Sequence, residues 1–254
     1  MKPNLLILAL CASIVCACTA AELSADSAAR PTPATAGQTP SPTNSLFWSG
    51  VATNALGAII ADITVDSSAT PDLAAWSKHA GELCAEWYPK IATLLASEGF
   101  VPPKRVRLIF HAKKEGVADT AGDTINMAAN YVRHATNDFG MVIHELTHVV
   151  QSYGHGGNPG WLVEGVADYI RLTQYEPQAR RPRIDPDHAS YRDAYKTTAI
   201  FLEWAETTYD KQLVHKLNRA MRDGVFNLEL FKTNTGHSID GLWKQFTDMV
   251  RERR

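Results

Sequence analysis

The sequence predicts an α+β fold in which strands and helices share the first half of the domain and helices alone make up the second half. Strand-like apolar segments occur before residue 130, whereas beyond residue 137 the apolar residues recur every three or four positions. The chain has 254 residues, of which 45% are hydrophobic and 20% are charged. That length and composition suit one globular domain with appendages.

Composition and charge exclude several classes of protein. The hydrophobic content excludes a fully disordered chain, which could not bury enough apolar surface to fold. The formal net charge is -2 and the sequence pI is about 6.5, so the basic excess of a nucleic-acid-binding surface is missing and no nucleic-acid partner is expected. No fixed-period repeat is present in the sequence, which excludes a solenoid.

The first residues have the pattern of an export signal. A charged start and an apolar run at residues 5–15 form a signal peptide, and the run is too short for a membrane-spanning helix. The four residues that end at Cys18 resemble a bacterial lipobox. We therefore expect a signal peptide at 1–18 and lipidation of Cys18, which would make the protein a lipoprotein of the bacterial cell envelope. The alternative is ordinary cleavage near Ala20 and secretion of a soluble protein.

Residues 19–46 are rich in proline, threonine and alanine and predict an extended linker. The folded domain is then expected at 47–254, where Cys84 is the one cysteine. An intrachain disulfide is therefore impossible in the domain, and Cys84 is expected to belong to the core.

Three segments in the first half of the domain predict strands. The segment 58–65 is β-branched, 105–110 alternates between polar and apolar residues, and 124–129 follows a Gly-Asp turn. Between the first two strands, Thr70 and Pro71 mark the start of an amphipathic helix. Pro89 is expected to kink or split this helix.

The second half of the domain predicts a series of helices. Asn137 or Asp138 can cap the first of them, which should run to about residue 153. Ser238 is expected to cap the last one. Between them, helices are expected at about 161–173, 190–208 and 209–222.

The string His144-Glu145-Leu146-Thr147-His148 carries the clearest chemical signal. Residues four apart on a helix share one face, so His144 and His148 can bind the same metal ion, and Glu145 lies beside a metal-bound water as general base. The flanking residues are almost all apolar, which predicts a buried helix. Two buried histidines and a glutamate need partners, and a metal ion supplies one.

A catalytic zinc site needs a third protein ligand and an open fourth position. Glu164 and Asp168 are four residues apart on the next predicted helix, so we expect Glu164 to be the ligand and Asp168 to orient a ligating imidazole. The reverse assignment of these two carboxylates stays open. His155 is the rival third ligand, although it lies one place later than the pattern His-Glu-x-x-His-x-x-Gly-x-x-His requires.

The two motifs together resemble those of the basic secretory protein family, which comprises peptidases of plants and bacteria. The resemblance is carried by residues 142–151 and 160–171, and it continues at 125–131 and 195–202. It covers nearly all of residues 70–250. The segment Trp161–Glu164 with Gly165 is also similar to the third-ligand segment of gluzincin aminopeptidases. Unlike the plant members, this chain is not basic, so their substrate preferences do not carry over.

The resemblance implies a zincin-like metalloprotease domain that binds one catalytic Zn²⁺. It implies a small mixed sheet packed on the active-site helix, with an antiparallel edge strand for which 124–129 is the candidate. A peptide or protein substrate could pair with that edge. Tyr195 matches a tyrosine of the family pattern and is the candidate donor to the oxyanion. The expected protein is a monomer that meets the membrane only through its lipid anchor.

These residues favour a zinc metallopeptidase of the endopeptidase type, in which Glu145 activates a zinc-bound water. Two alternatives stay open. The first is another zinc hydrolase that acts on cell-wall peptides or glycopeptides. The second is a tethered zinc-binding module without activity, against which the intact Glu145 argues.

Overall fold

The computed structural model describes residues 45–154 and 156–253 and has the predicted α+β architecture. Cys18, the leader and most of the linker lie outside the described residues, as does His155. Export, lipidation and the alternative ligand therefore stay predictions. In the part of the chain that the structure describes, no helix has the length and apolar character that a membrane span requires.

A small mixed sheet forms one layer of the fold, as predicted. Within the described residues it has five strands, in the order β1-β2-β3-β5-β4. Strands β2, β3 and β5 are parallel, whereas β1 and β4 are antiparallel edge strands. The strands are β1 (Phe47–Thr53), β2 (Ile59–Asp66), β3 (Arg105–His111), β4 (Ala118–Ala121) and β5 (Thr124–Ala128).

The identity of the edge strand corrects the sequence analysis. The segment expected at the edge, 124–129, corresponds to β5 and lies between β3 and β4. The edge beside the active-site helix is β4, which pairs antiparallel with β5. Gly122 has a φ of 61°, and the tight turn that it permits folds β4 back onto β5. The predicted turn was therefore the tip of a hairpin whose first strand was missed.

Helices make up the second half of the domain, as predicted. The α-helices are α1 (Ala74–Leu94), α2 (Ala129–His134), α3 (Gly140–Gln151), α4 (Gly160–Ile170), α5 (Tyr195–Thr208), α6 (Leu213–Arg222), α7 (Glu229–Thr235) and α8 (Ile239–Glu252). Ser238 caps α8, because its hydroxyl accepts a hydrogen bond from the amide of Gly241. The short helix α7 was not expected from the sequence.

Helix α1 departs from its predicted form at two places. A 3-10 turn, Pro71–Leu73, precedes it, and the Thr70 side chain makes no capping hydrogen bond. The helix continues through Pro89 without a break. Tyr88 and Ile91 are fully buried on either side of the proline, so their packing outweighs the backbone hydrogen bond that proline cannot donate.

One face of the sheet packs against α1 and α3 and forms the core. Its buried side chains include Ile63, Leu108, Phe110 and Met127. Cys84 of α1 lies in the same core and is a free thiol. In this packing α3 contacts both strands of the β4–β5 hairpin as well as α1.

The end of α4 differs from the single helix expected at 161–173. After Ile170 the chain makes one π-helical turn, Arg171–Tyr175, in which the amide of Glu176 donates to the carbonyl of Arg171 at 2.8 Å. Arg171 also donates to Asp138 at 2.7 Å and to Glu176 at 3.0 Å. A Cβ at Gly140 would lie 2.3 Å from Arg171 Nε. The wider turn therefore places Arg171 against the start of α3, where a side chain at position 140 would displace the Arg171–Glu176 ion pair.

Arg222 joins the C-terminal ends of α1 and α3. Its guanidinium donates to the carbonyl of Leu95 at 2.8 Å and to the hydroxyl of Ser97 at 2.6 Å. It also donates to the carbonyls of Val150 and Gln151 at 3.3 and 3.4 Å. Carbonyls at the end of a helix lack partners within the helix and carry a partial negative charge, so the cation stabilises both ends.

We expect Arg222→Met to lower the free energy of unfolding by about 2–4 kcal/mol, because four acceptors lose a charged donor while the apolar stem is kept. For a domain of this size, the melting temperature should fall by roughly 5–15 °C. Arg219→Met is the matched control, since Arg219 is exposed on the same helix and makes only surface ion pairs; its effect should stay within about 0.5 kcal/mol. Equal melting temperatures for the two variants would contradict the role of Arg222.

Candidate active site

Helix α3 carries the His-Glu-x-x-His motif on one buried face. Its N-cap residue is Phe139, which makes no side-chain capping hydrogen bond, so the cap expected at Asn137 or Asp138 lies one residue later. The Asp138 carboxylate still accepts from the amide of Met141 at 3.3 Å. His144 and Glu145 are 8% and 7% exposed. The rings of His144 and His148 lie edge to face, with centroids 4.7 Å apart. The apolar surroundings thus leave these polar groups accessible only from the cleft above the helix.

Helix α4 brings Glu164 to the two histidines. Its Oε2 lies 3.1 Å from His144 Nε2 and 3.3 Å from His148 Nε2. The two Nε2 atoms are themselves 3.1 Å apart. Among the described residues, these three side chains form a cluster suited to hold a metal ion. Asp168 is not part of this triangle, so the geometry matches Glu164 as ligand rather than the reverse assignment.

The Nδ1 atom of each imidazole, on the side away from Glu164, is already hydrogen-bonded. Asp168 Oδ1 accepts from Nδ1 of His144 at 2.8 Å. Gln151 Oε1 accepts from Nδ1 of His148 at 2.7 Å, while its amide donates to the carbonyl of Val163 at 3.0 Å. That carbonyl can only accept, which fixes the orientation of the Gln151 amide. Both rings therefore have Nδ1 as the donor and turn Nε2 toward Glu164.

This donor set fits zinc. Two ligand atoms on one tetrahedral zinc ion, each about 2.0–2.1 Å from the metal, lie about 3.3 Å apart. The three separations of 3.1, 3.1 and 3.3 Å are close to that value. Two imidazole nitrogens and one carboxylate oxygen are also the ligand types that catalytic zinc sites use, with a fourth position left for water.

The two carboxylates and the imidazoles shift each other's ionisation. Burial by itself lowers the pKa of His144, but the hydrogen bonds of Asp168 and Glu164 outweigh it and raise the pKa to about 9. Burial by itself raises the pKa of Glu164, but its contacts with His144 and His148 lower the pKa to about 2. The charged form of Glu164 is thus favoured beside the two histidines, as a carboxylate ligand requires.

Glu145 is held by the edge strand. The hydroxyl of Thr120, on β4, lies 2.7 Å from Glu145 Oε2 and 3.1 Å from the Glu145 carbonyl. His144, His148, Glu164 and Glu145 lie in a cleft of about 1060 Å³, which is also lined by residues of β4 and of the start of α5. The cleft is large enough to admit several residues of an extended peptide.

Tyr195 lines the cleft at the start of α5. Its ring is nearly parallel to that of His144, with centroids 6.0 Å apart and an angle of 24°. The side chain is 55% exposed and lines the cleft. The negative charge of Glu164 raises the pKa of the Tyr195 phenol, with smaller contributions from burial and from Glu145. The hydroxyl therefore keeps its proton at neutral pH.

The structure brings together five of the residues selected from the sequence and places Tyr195 beside them. It adds Gln151 and Thr120, which sequence reasoning missed. Gln151 could have been found from the sequence, because it follows His148 by three residues and therefore shares its helix face. Thr120 had none, since a hairpin from another part of the chain brings it to Glu145.

We expect Gln151→Leu to weaken zinc binding by about 10- to 100-fold, because His148 loses the acceptor that fixes its tautomer and orientation. The affinity is measured by competition with a chromogenic chelator. Gln174→Leu is the control, since Gln174 is exposed beyond α4 and bonds only Thr173. An unchanged zinc affinity in folded Gln151→Leu would show that this hydrogen bond does not position His148.

Comparisons with known proteins give a family match for this chain. A family model described as "BSP: Peptidase of plants and bacteria" matches residues 85–246, a range that includes α3, α4 and Tyr195. No curated protein sequence matches the chain. The fold is similar to the crystal structure of a mutant two-domain M1 zinc metallopeptidase bound to L-arginine, with 14% identity and a TM-score of 0.44. The alignment covers 81% of this chain, which spans about half of that structure (51%).

Proposed function

The chain belongs to the BSP family of plant and bacterial peptidases, and from that premise we propose that it is a zinc-dependent endopeptidase. His144, His148 and Glu164 hold the ion, and Glu145 is the general base. The observation that carries the proposal is the convergence of two Nε2 atoms and one carboxylate oxygen within 3.1–3.3 Å, while Asp168 and Gln151 fix the opposite side of each ring.

Glu145 carries the proton transfers of the proposed reaction. When bound, zinc lowers the pKa of a water ligand to about 7 and polarises the scissile carbonyl. The Glu145 carboxylate accepts the proton of the attacking water and later delivers it to the leaving amine. Thr120 holds the carboxylate in place, so Glu145 needs no rearrangement before it acts. The Tyr195 hydroxyl donates a hydrogen bond to the developing oxyanion.

The substrate is proposed to bind as an extended peptide along β4. This strand is the edge of the sheet, and residues 117–120 line the cleft. Unpaired backbone groups at a sheet edge bind a peptide by strand addition. The pairing with a substrate that was expected of residues 124–129 is therefore proposed for β4.

Cleavage within a chain is favoured over removal of residues from an amino terminus. An enzyme that trims a terminus anchors its charge with an unpaired group of opposite sign. Three acidic side chains of the cleft outside the zinc site are already engaged: Asp119 with Lys114, Asp138 with Arg171, and Asp193 with the amide of Ser190. These carboxylates are therefore poor anchors for a free amino terminus.

The test combines metal analysis of the purified full chain with an unbiased library of quenched fluorescent peptides. We expect about one zinc per chain, cleavage at internal bonds, loss of cleavage on chelation and recovery with added zinc. Cleavage of muropeptides but of no library peptide would favour a cell-wall hydrolase. A zinc-loaded chain without activity on either substrate set would favour a binding module.

A further inference from the structure

The backbone that leads into α5 is strained at the cleft wall. Within the described residues, three non-glycine residues have a positive φ, namely Ser152, Ala194 and Tyr195, and all three line the cleft. Ser152 lies in the left-handed conformation that commonly ends a helix. Ala194 and Tyr195 are consecutive, with φ values of 62° and 47°.

Ala194 has the more costly conformation of the two. With φ 62° and ψ -170°, it occupies a region that is almost exclusive to glycine, because a Cβ crowds the neighbouring carbonyl there. A bulky tyrosine in the left-handed region adds to the strain. Such conformations persist only where the surrounding structure enforces them, and they concentrate at functional sites.

Hydrogen bonds hold the chain on both sides of Ala194 and Tyr195. Upstream, Ser190 and Asp193 form a capping box around the 3-10 turn Tyr191–Asp193. Downstream, the fully buried Thr198 donates to the carbonyl of Tyr191 at 2.7 Å. The Thr198 methyl also packs against Gly165, where an added Cβ would lie 2.3 Å from it. Ala194 and Tyr195 are the first two of the four residues between these anchors, which restrict how far the backbone can relax.

We propose that Ala194 is a positioning residue, whose strained backbone holds the Tyr195 ring against His144 at the metal-binding cluster. The inference rests on the proposed function, because it takes Tyr195 as the donor to the substrate oxyanion. Tyr195 is half-exposed and its hydroxyl has no hydrogen-bond partner in the described part of the chain, so side-chain contacts alone do not fix it. The backbone supplies the restraint instead, and the hydroxyl stays free for the substrate.

The test is a double-mutant cycle of Ala194→Gly and Tyr195→Phe, assayed with the library peptide that the wild type cleaves fastest. Ala194→Gly relieves the strain, so the melting temperature should rise by about 2–4 °C. The looser tyrosine should lower kcat by about tenfold without changing KM, since small misplacements of a catalytic group reduce the rate. In the Tyr195→Phe background, Ala194→Gly should raise the melting temperature equally but change kcat less than twofold.

Ala55→Gly is the control, because Ala55 lies in the exposed β1–β2 turn with an ordinary φ. It should lower the melting temperature slightly and leave kcat unchanged. The proposal is overturned if Ala194→Gly lowers the melting temperature, leaves kcat unchanged, or lowers kcat equally in both backgrounds. If Tyr195→Phe itself leaves kcat unchanged, the role of Tyr195 fails together with this inference. The zinc content and the Glu145 dependence of cleavage then decide separately whether the peptidase proposal stands.

Discussion

Glu145→Gln is expected to lower kcat for peptide cleavage by about 10²- to 10⁴-fold while the protein keeps its zinc. The amide has the size of the carboxylate, and its oxygen can still accept from Thr120, as Glu145 Oε2 does at 2.7 Å. It cannot accept the proton of a water molecule at neutral pH. The loss should therefore appear in kcat, with KM and the melting temperature nearly unchanged.

The measurement pairs steady-state kinetics with metal analysis of the same preparation. Thr120→Val provides a graded comparison, because it leaves the carboxylate but removes the hydroxyl that holds it. Its kcat should lie between those of the wild type and Glu145→Gln. Undiminished cleavage by zinc-loaded Glu145→Gln would remove Glu145 from the role of general base.

Glu164→Ala is expected to abolish stoichiometric zinc binding. Only His144 and His148 would remain as ligands. The zinc affinity should therefore fall about tenfold or more beyond the 10- to 100-fold loss expected when a hydrogen-bond partner of a ligand is removed. A ligand that binds only the folded state raises the melting temperature. The wild type should therefore melt at a higher temperature with zinc than with chelator, and this difference should vanish in Glu164→Ala.

Glu86→Ala controls for the loss of a helical glutamate, since Glu86 is exposed on α1 and pairs only with Lys90. Its zinc content and zinc-dependent melting shift should equal those of the wild type. One zinc per chain in Glu164→Ala would show that another group is the third ligand, and His155 would be the first to test.

The sequence predicted the site better than the sheet. Helical spacing places His144 and His148 on one face of α3, and the same rule places Glu164 and Asp168 on one face of α4. The site then forms when these two faces pack against each other. Strand β1 was missed because Ser49 and Gly50 interrupt its apolar pattern. A Cβ on Gly50 would lie 2.4 Å from the Trp48 ring. The Trp48 ring therefore packs over a glycine, and that same glycine interrupts the apolar pattern from which a strand is predicted.

Contacts between distant segments account for the remaining differences. Strand β4 has four residues of modest strand propensity, and its pairing with β5 stabilises it. The amphipathic period predicted α5 but gave no sign of the backbone at Ala194. The contact of Thr198 with Gly165, which joins α5 to α4, is one of the contacts between distant segments that hold this backbone. Local patterns therefore predicted the longer helices and the three parallel strands, whereas β1, β4 and the short helices α2 and α7 were missed, and backbone strain and edge pairing arise only in the assembled fold.

The hydroxyl of Thr120 connects the strand that would receive a substrate with the carboxylate that would activate the attacking water. On this arrangement, the distance from a bound peptide's reactive carbonyl to Glu145 is set by main-chain pairing and not by the identity of its side chains. Such an enzyme would select a substrate segment because it is extended, more than because of its sequence. We therefore expect conformational accessibility, more than local composition, to decide which bonds of a protein it cuts.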